Sequence, residues 1–135
     1  MPRQVFVDTS AWLAVMDITE RRHDQAAEVY GQLLESRAVL VTTILVVAET
    51  QIALRRRAGE KKTMTFLKNV NESPRIQVVF PDLSLERDAK KILQQYADQD
   101  FSLADALSFA FMRREKIIEA FACDRHFTTA GFTLL

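Results

Sequence analysis

The chain opens on a short apolar, β-favouring run, Val5, Phe6 and Val7, that stops at Asp8, Thr9 and Ser10. Those polar residues suit the start of a helix, and Ala11, Trp12, Leu13 and Val15 give it apolar positions, so the segment predicts strand into helix. Within residues 24–36, Ala27, Val29, Tyr30, Leu33 and Leu34 recur at near-helical spacing, and the run 39–43 that follows is β-rich. From Leu45 another helix is expected, ending in the basic turn Arg55, Arg56, Arg57 near Gly59, with a further helix over 61–70. Residues 76–80 read as a strand closed by Pro81, and 84–96 as a helix with Leu85, Ala89, Ile92 and Leu93 inward. Ser102 and Asp105 have the spacing of a capping box, with Asp in place of the usual Glu, opening a helix through Met112. A final short strand over 120–123 ends at Asp124. Strands alternating with helices predict an α/β domain, three-layer α/β/α, around a central, mainly parallel sheet.

Composition narrows the class. The 135 residues suit one folding unit, and 48% hydrophobic with 27% charged residues supply both a core and a solvated exterior, which excludes disorder as the main state. Only three Gly and three Pro are spread along the chain, with no linker and no repeat, so residues 1–135 read as a single domain. The 18 Lys and Arg balance the 18 Asp and Glu, so any nucleic-acid binding has to come from local charge rather than net charge. Cys123 is the one cysteine and forms no internal disulfide, which favours a reducing, intracellular setting. No apolar stretch approaches the ~20 residues of a membrane span, and the N-terminus lacks the apolar region of a signal peptide, so a cytoplasmic protein without membrane contact is expected.

Ligands of an open parallel sheet bind at the carboxyl ends of its strands, and four acids are expected at that rim. Asp8 ends the first strand, Asp124 ends the last, Asp105 sits in a first helical turn, and Glu49 lies early in the helix after the second strand. Glu49 is flanked by Val46, Val47, Ala48 and Ile52, and Asp105 by Leu103, Ala104, Ala106 and Leu107, surroundings that call for charge compensation. Without nearby Lys or Arg, a divalent cation compensates clustered carboxylates, and an all-oxygen set selects Mg²⁺ or Mn²⁺. Such a site suits hydrolysis of a phosphodiester. Each acid also has a purely structural reading: a turn cap for Asp8, the capping box for Asp105, pairing of Glu49 with Arg55 or Arg56, and an Asx turn for Asp124.

Val-Asp-Thr-Ser at 7–10, Ala48-Glu49, Asp-Phe-Ser-Leu-Ala-Asp-Ala-Leu-Ser-Phe at 100–109 and Cys-Asp-Arg-His-Phe at 123–127 together resemble a PIN-domain ribonuclease. The closest likeness is to the VapC-type toxins of prokaryotic toxin-antitoxin modules. The resemblance spans essentially the whole chain and implies a single PIN-like domain. It also implies a Mg²⁺- or Mn²⁺-dependent endoribonuclease acting on RNA, a homodimer, and a small cognate antitoxin whose C-terminal segment occupies the active-site groove. Asp8, Glu49, Asp105 and Asp124 fall on the family's acidic quartet as catalytic, metal-binding residues. Family members often carry Thr before the third acid and another acid shortly after the fourth, where this chain has Ala104 and His126. A housekeeping PIN nuclease of RNA processing and an inactive PIN-like binding module are the alternative roles. A phospho-accepting receiver expects paired acids after the first strand and a Lys after a late one, and neither is present.

Arg55, Arg56 and Arg57 fan too far around a helix for more than two to meet one RNA strand, and a solvated turn favoured by the helix dipole is preferred to RNA contact. Arg113, Arg114 and Lys116 stand the same way. His126 reads as a hydrogen-bonding residue beside a turn, outside the site, and His23 as surface. Cys123 reads as a small buried hydrophobe, and Trp12 with the Phe residues as core or dimer surface.

Overall fold

The computed structural model describes residues 2–135. Its strands, β1 (Gln4–Val7), β2 (Val39–Thr43), β3 (Ile76–Val79), β4 (Glu119–Phe121) and β5 (Thr133–Leu134), form one sheet in the order β3-β2-β1-β4-β5. Every neighbouring pair is parallel, so the sheet is wholly rather than mainly parallel. The helices are α1 (Thr9–Met16), α2 (His23–Glu35), α3 (Ile44–Ala58), α4 (Glu60–Glu72), α5 (Leu83–Gln95), α6 (Leu103–Glu115) and α7 (His126–Thr129). α1 packs on α2 and α3, α3 packs on α4, and α5 packs on α6. The chain passes from β1 through β2 to β3 on one side and back past β1 to β4 on the other, and crossovers of the usual right hand then place the two helix sets on opposite faces.

That sandwiching explains the residue choice in the central strands. Val5, Phe6 and Val7 are fully buried because both faces of β1 are covered, so the strand reads as a continuous apolar run rather than an alternation. The buried Thr42 fits the same environment because its hydroxyl donates to the Val7 carbonyl at 3.0 Å. One layer centres on Trp12, whose ring meets Tyr30 and Phe66 at 6.1 and 5.5 Å between centroids. The other centres on Phe109, within 5.0 Å of both Phe101 and Phe127 and 5.8 Å of Phe132. α6 is buried on every side from Ala106 to Met112, as a helix lying across the middle of a sheet must be.

Helix boundaries follow local chemistry. The Thr43 hydroxyl accepts from the Val46 amide at 3.2 Å to start α3, and the Asp82 carboxylate accepts from the Leu85 amide at 2.7 Å to start α5. Gly59 both ends α3 and precedes α4 at φ +88°, a left-handed conformation that any side chain would strain.

The final strand reading needs correction. β4 stops at Phe121, so Ala122 and Cys123 lie in a loop and Asp124 follows that loop rather than ending the strand. The ladder ends there because the Asp8 amide takes the Phe121 carbonyl at 3.0 Å, and the Cys123 amide turns to the Ser10 hydroxyl at 2.8 Å. Nor is β4 the last strand, since α7 and β5 follow; four and two residues are too short to show a period. Cys123 is half-buried, and His23 is not free surface, because its Nδ1 lies 2.8 Å from the Ala14 carbonyl.

Phe109→Ala should destabilise the fold by about 3–5 kcal/mol, because it empties the centre of an aromatic cluster. Leu83→Ala, at a side chain that is 71% exposed, should change stability by less than about 0.5 kcal/mol. Urea denaturation of the two variants checks both, and equal small effects would show that the cluster contributes little.

Candidate active site

Chain paths leaving β1 and β4 diverge to opposite faces of the sheet, α1 to one and α7 to the other, and a crevice opens between them at the topological switch point. A cavity of about 460 Å³ occupies this position, walled in part by Asp8, Glu49, Asp105, Asp124, Ser10 and His126. All four acids expected at the rim therefore reach one cavity, from four different segments. Asp100 also lines it, an exposed fifth acid that the sequence reading quoted only within a longer match.

The acids are held in different ways. Asp8 is 6% exposed and stands at the N-terminus of α1, yet its side chain makes no capping hydrogen bond, so the turn-cap reading of this residue is not what the structure shows. Its Oδ2 instead accepts from the Ser10 hydroxyl at 3.3 Å. Asp105 does complete the capping box: the Ser102 amide donates to its Oδ2 and the Asp105 amide donates to the Ser102 hydroxyl, both at 3.0 Å. Its carboxylate nevertheless lines the cavity, because the first turn of α6 points into the crevice, so cap and cavity wall are one side chain. Asp124 accepts the His126 amide on Oδ1 at 3.0 Å, an Asx turn that shapes the loop between β4 and α7.

Glu49 differs from expectation. It lies on the exposed side of α3 beside an exposed Ala48 and a 42% exposed Ile52, while Val46, Val47 and Thr50 turn inward. Its apolar sequence neighbours therefore belong to another face of the helix. Pairing with Arg55 or Arg56 is not seen either, since Arg55 lies 3.6 Å from Glu60 and no ion pair of Glu49 occurs among the described residues. Of the other basic groups, Arg57 pairs with Glu20 at 3.3 Å and Arg114 with Asp82 at 3.2 Å, which makes both structural surface contacts.

Burial raises the carboxyl pKa of Asp8 from the usual 3.8 to about 7, and the charges of Asp124 and then Asp105 push the same way, against the Thr9 amide and the Ser10 hydroxyl. Glu49 is also raised, first by the protein around its carboxyl and then by Asp105. No Lys or Arg pairs with any of the four among the described residues; the one basic partner is His126, whose Nδ1 is 3.1 Å from Asp105 Oδ2. The cavity thus gathers negative charge that protein cations do not neutralise. Hard oxygen donors in that state fit a divalent cation, although no three of them already stand at metal-ligand spacing among the described residues.

Two residues of this wall lay outside the sequence-derived site. Ser10 stands in sequence as part of a helix start, yet its hydroxyl ties the β1 end to the β4 loop by bonding both Asp8 and Cys123. For His126 the signal in the sequence is its place two residues after Asp124.

An all-parallel sheet with an acid-lined cleft at its switch point defines an open α/β domain whose ligands meet the carboxyl ends of its strands. The model of the PIN domain matches residues 5–132, and the chain belongs to that family. The 23S rRNA-specific endonuclease VapC20 of Mycobacterium tuberculosis, from strains CDC 1551 / Oshkosh and ATCC 25618 / H37Rv, is 32% identical to it over 128 residues, 95% of each chain. The crystal structure of Mycobacterium tuberculosis VapC20, a Sarcin-Ricin loop cleaving toxin, superposes with a TM-score of 0.85 at 33% identity over 96% of both chains. FitAcB from Neisseria gonorrhoeae shares the fold, with a TM-score of 0.64 at 14% identity over 97% of this chain and 96% of its own.

Asp8 holds its proton more tightly in the folded protein than in the unfolded chain. In the metal-free protein the native state therefore binds more protons between about pH 4 and pH 7, and stability falls as pH rises through that window. The Asp8 contribution has a slope of up to about 1.4 kcal/mol per pH unit. Asp8→Asn should remove that share and be the more stable protein at pH 7. Denaturation of both proteins in chelator across this range checks the sign, and parallel pH profiles would refute the coupling.

Proposed function

We infer that this PIN-domain protein is an endoribonuclease that hydrolyses RNA phosphodiester bonds, the toxin of a toxin-antitoxin pair, with Mg²⁺ or Mn²⁺ held by Asp8, Glu49, Asp105 and Asp124. The observation that carries the metal dependence is the buried Asp8, pushed to about 7 by burial and by two neighbouring carboxylates in a cleft where, among the described residues, no Lys or Arg pairs with them. Bound there, a divalent cation supplies positive charge to phosphate oxygens and acidifies an attacking water. The chain's own residues provide the rest. Asp8, Glu49, Asp105 and Asp124 line the crevice, and Ser10 keeps the β1 and β4 ends together. Arg125 is exposed directly after Asp124, and the Arg22 guanidinium reaches the Cys123 carbonyl, so positive charge flanks the cleft where an RNA backbone has to enter.

The likeness to VapC20 makes 23S rRNA at the sarcin-ricin loop the substrate we propose. A cytoplasmic protein is the matching setting, consistent with the absence, among the described residues, of any helix long and apolar enough to cross a membrane. A second copy of the chain and a small antitoxin are the proposed protein partners. Pro81, Leu83, Leu103 and Leu107 line a hollow whose Leu103 adjoins the acidic cavity through Ser102, and Leu83 and Leu103 are exposed, which offers apolar surface for that association.

Purified protein should cut ribosomal RNA in Mg²⁺ or Mn²⁺ and not in chelator, with the cut mapped by primer extension. Asp105→Asn should melt no lower than the wild type, because an amide oxygen still accepts the Ser102 amide and one repelling charge is gone, and should lose cleavage. Full activity of that variant would show that capping is the residue's whole role. Mn²⁺ at about 100 times its dissociation constant should stabilise the wild type by roughly 2.7 kcal/mol, read as a raised melting temperature. An unshifted melting curve together with intact RNA would favour the inactive binding module.

A further inference from the structure

Two of the four acids, Asp105 and Asp124, come from separate elements, the first turn of α6 and the loop before α7. Like charges on independent segments tend to swing apart, so something must hold them at one cleft. We propose that His126 is that positioning residue, a clamp that ties down one oxygen on each carboxylate, Asp105 through its imidazole and Asp124 through its backbone amide. The proposal rests on the reading of these acids as the metal site and adds to it the residue that orients them.

Five contacts hold the cluster together. His126 Nδ1 lies 3.1 Å from Asp105 Oδ2, the same oxygen that accepts the Ser102 amide at 3.0 Å. The His126 amide donates to Asp124 Oδ1 at 3.0 Å. Asp105 Oδ1 and Asp124 Oδ2 have no hydrogen-bond partner among the described residues, so each carboxylate has one committed oxygen and one free for a ligand. The imidazole is itself braced, edge-on to Phe101 at 5.2 Å and 66° between planes, and Phe101 packs in turn against Phe109 of the core at 5.0 Å.

A carboxylate oxygen only accepts, so Nδ1 carries the proton, and it does so in the neutral ring and in the imidazolium alike. The clamp is therefore independent of the ring's charge. Residues that hold a metal ligand from behind in this way typically change metal affinity by about 10- to 100-fold when removed. His126 supplies a hydrogen-bond donor to a cleft lined by negatively charged acceptors.

The test uses the whole metal-free protein. His126→Phe keeps a ring against Phe101 but removes the donor, so it should melt like the wild type and bind Mn²⁺ about 10- to 100-fold more weakly by calorimetry. His126→Asn, whose amide N–H falls near the Nδ1 position, should recover most of that affinity. Nitrogen NMR of the wild-type ring should find the neutral form protonated on Nδ1. Wild-type Mn²⁺ affinity in His126→Phe, or a neutral ring protonated on Nε2, overturns the clamp. Failure of the underlying reading looks different: wild type and variants alike bind no Mn²⁺, while the Nδ1 proton is still found, and the clamp then falls as a device for metal binding.

Discussion

β1 pairs in parallel with β2 on one side and β4 on the other, and the last bond of its β4 side runs from the Asp8 amide to the Phe121 carbonyl at 3.0 Å. Everything at the cleft depends on that central position. Beyond this bond the two chains part to opposite faces of the sheet, so their first polar residues are left facing one another over a crevice. Asp8 is buried because β1 is central, not because its own neighbours in sequence are apolar. Its side chain therefore enters the crevice stripped of water, and its position at the start of α1 does not relieve it, since no capping bond forms.

Electrostatics then turns position into chemistry. Burial alone favours a protonated Asp8, and the facing Asp124 and Asp105 strengthen that preference. A fold selected only for stability would place a Lys or Arg among these groups, or replace one of the acids. This chain commits nearby cations to other partners: Arg22 spends its guanidinium on the Cys123 carbonyl, and Arg114 pairs with Asp82 away from the acids while lying 5.9 Å from the Phe111 ring. The balancing charge is left to come from outside, which is the condition that the proposed cation and RNA phosphate would meet.

Rigid support on both sides keeps the charged groups in place. The Phe101, Phe109, Phe127 and Phe132 cluster lies beneath α6 and α7, so Asp105 and His126 project from a packed floor. Asp105 illustrates how little the structural and functional readings of a residue exclude each other. The third position of a helix that starts at the sheet rim is at once where a capping-box acid belongs and where a cleft acid belongs, so one carboxylate serves both.

The amino-acid sequence by itself determined the alternation of strands and helices, the boundaries of β2 and the start of α6, and the four acids that reach the rim. These depend on local period, on caps, and on the rule that ligands meet the carboxyl ends of parallel strands. Tertiary structure decided the rest. Which side of α3 Glu49 takes, where β4 ends and how deeply Asp8 is buried depend on partners far away in the chain, and no local pattern encodes them. α7 and β5 were too short to announce themselves. His126 read as a lone histidine beside a turn, because its partner Asp105 is 21 residues distant and meets it only when the sheet brings the loop after β4 against the first turn of α6.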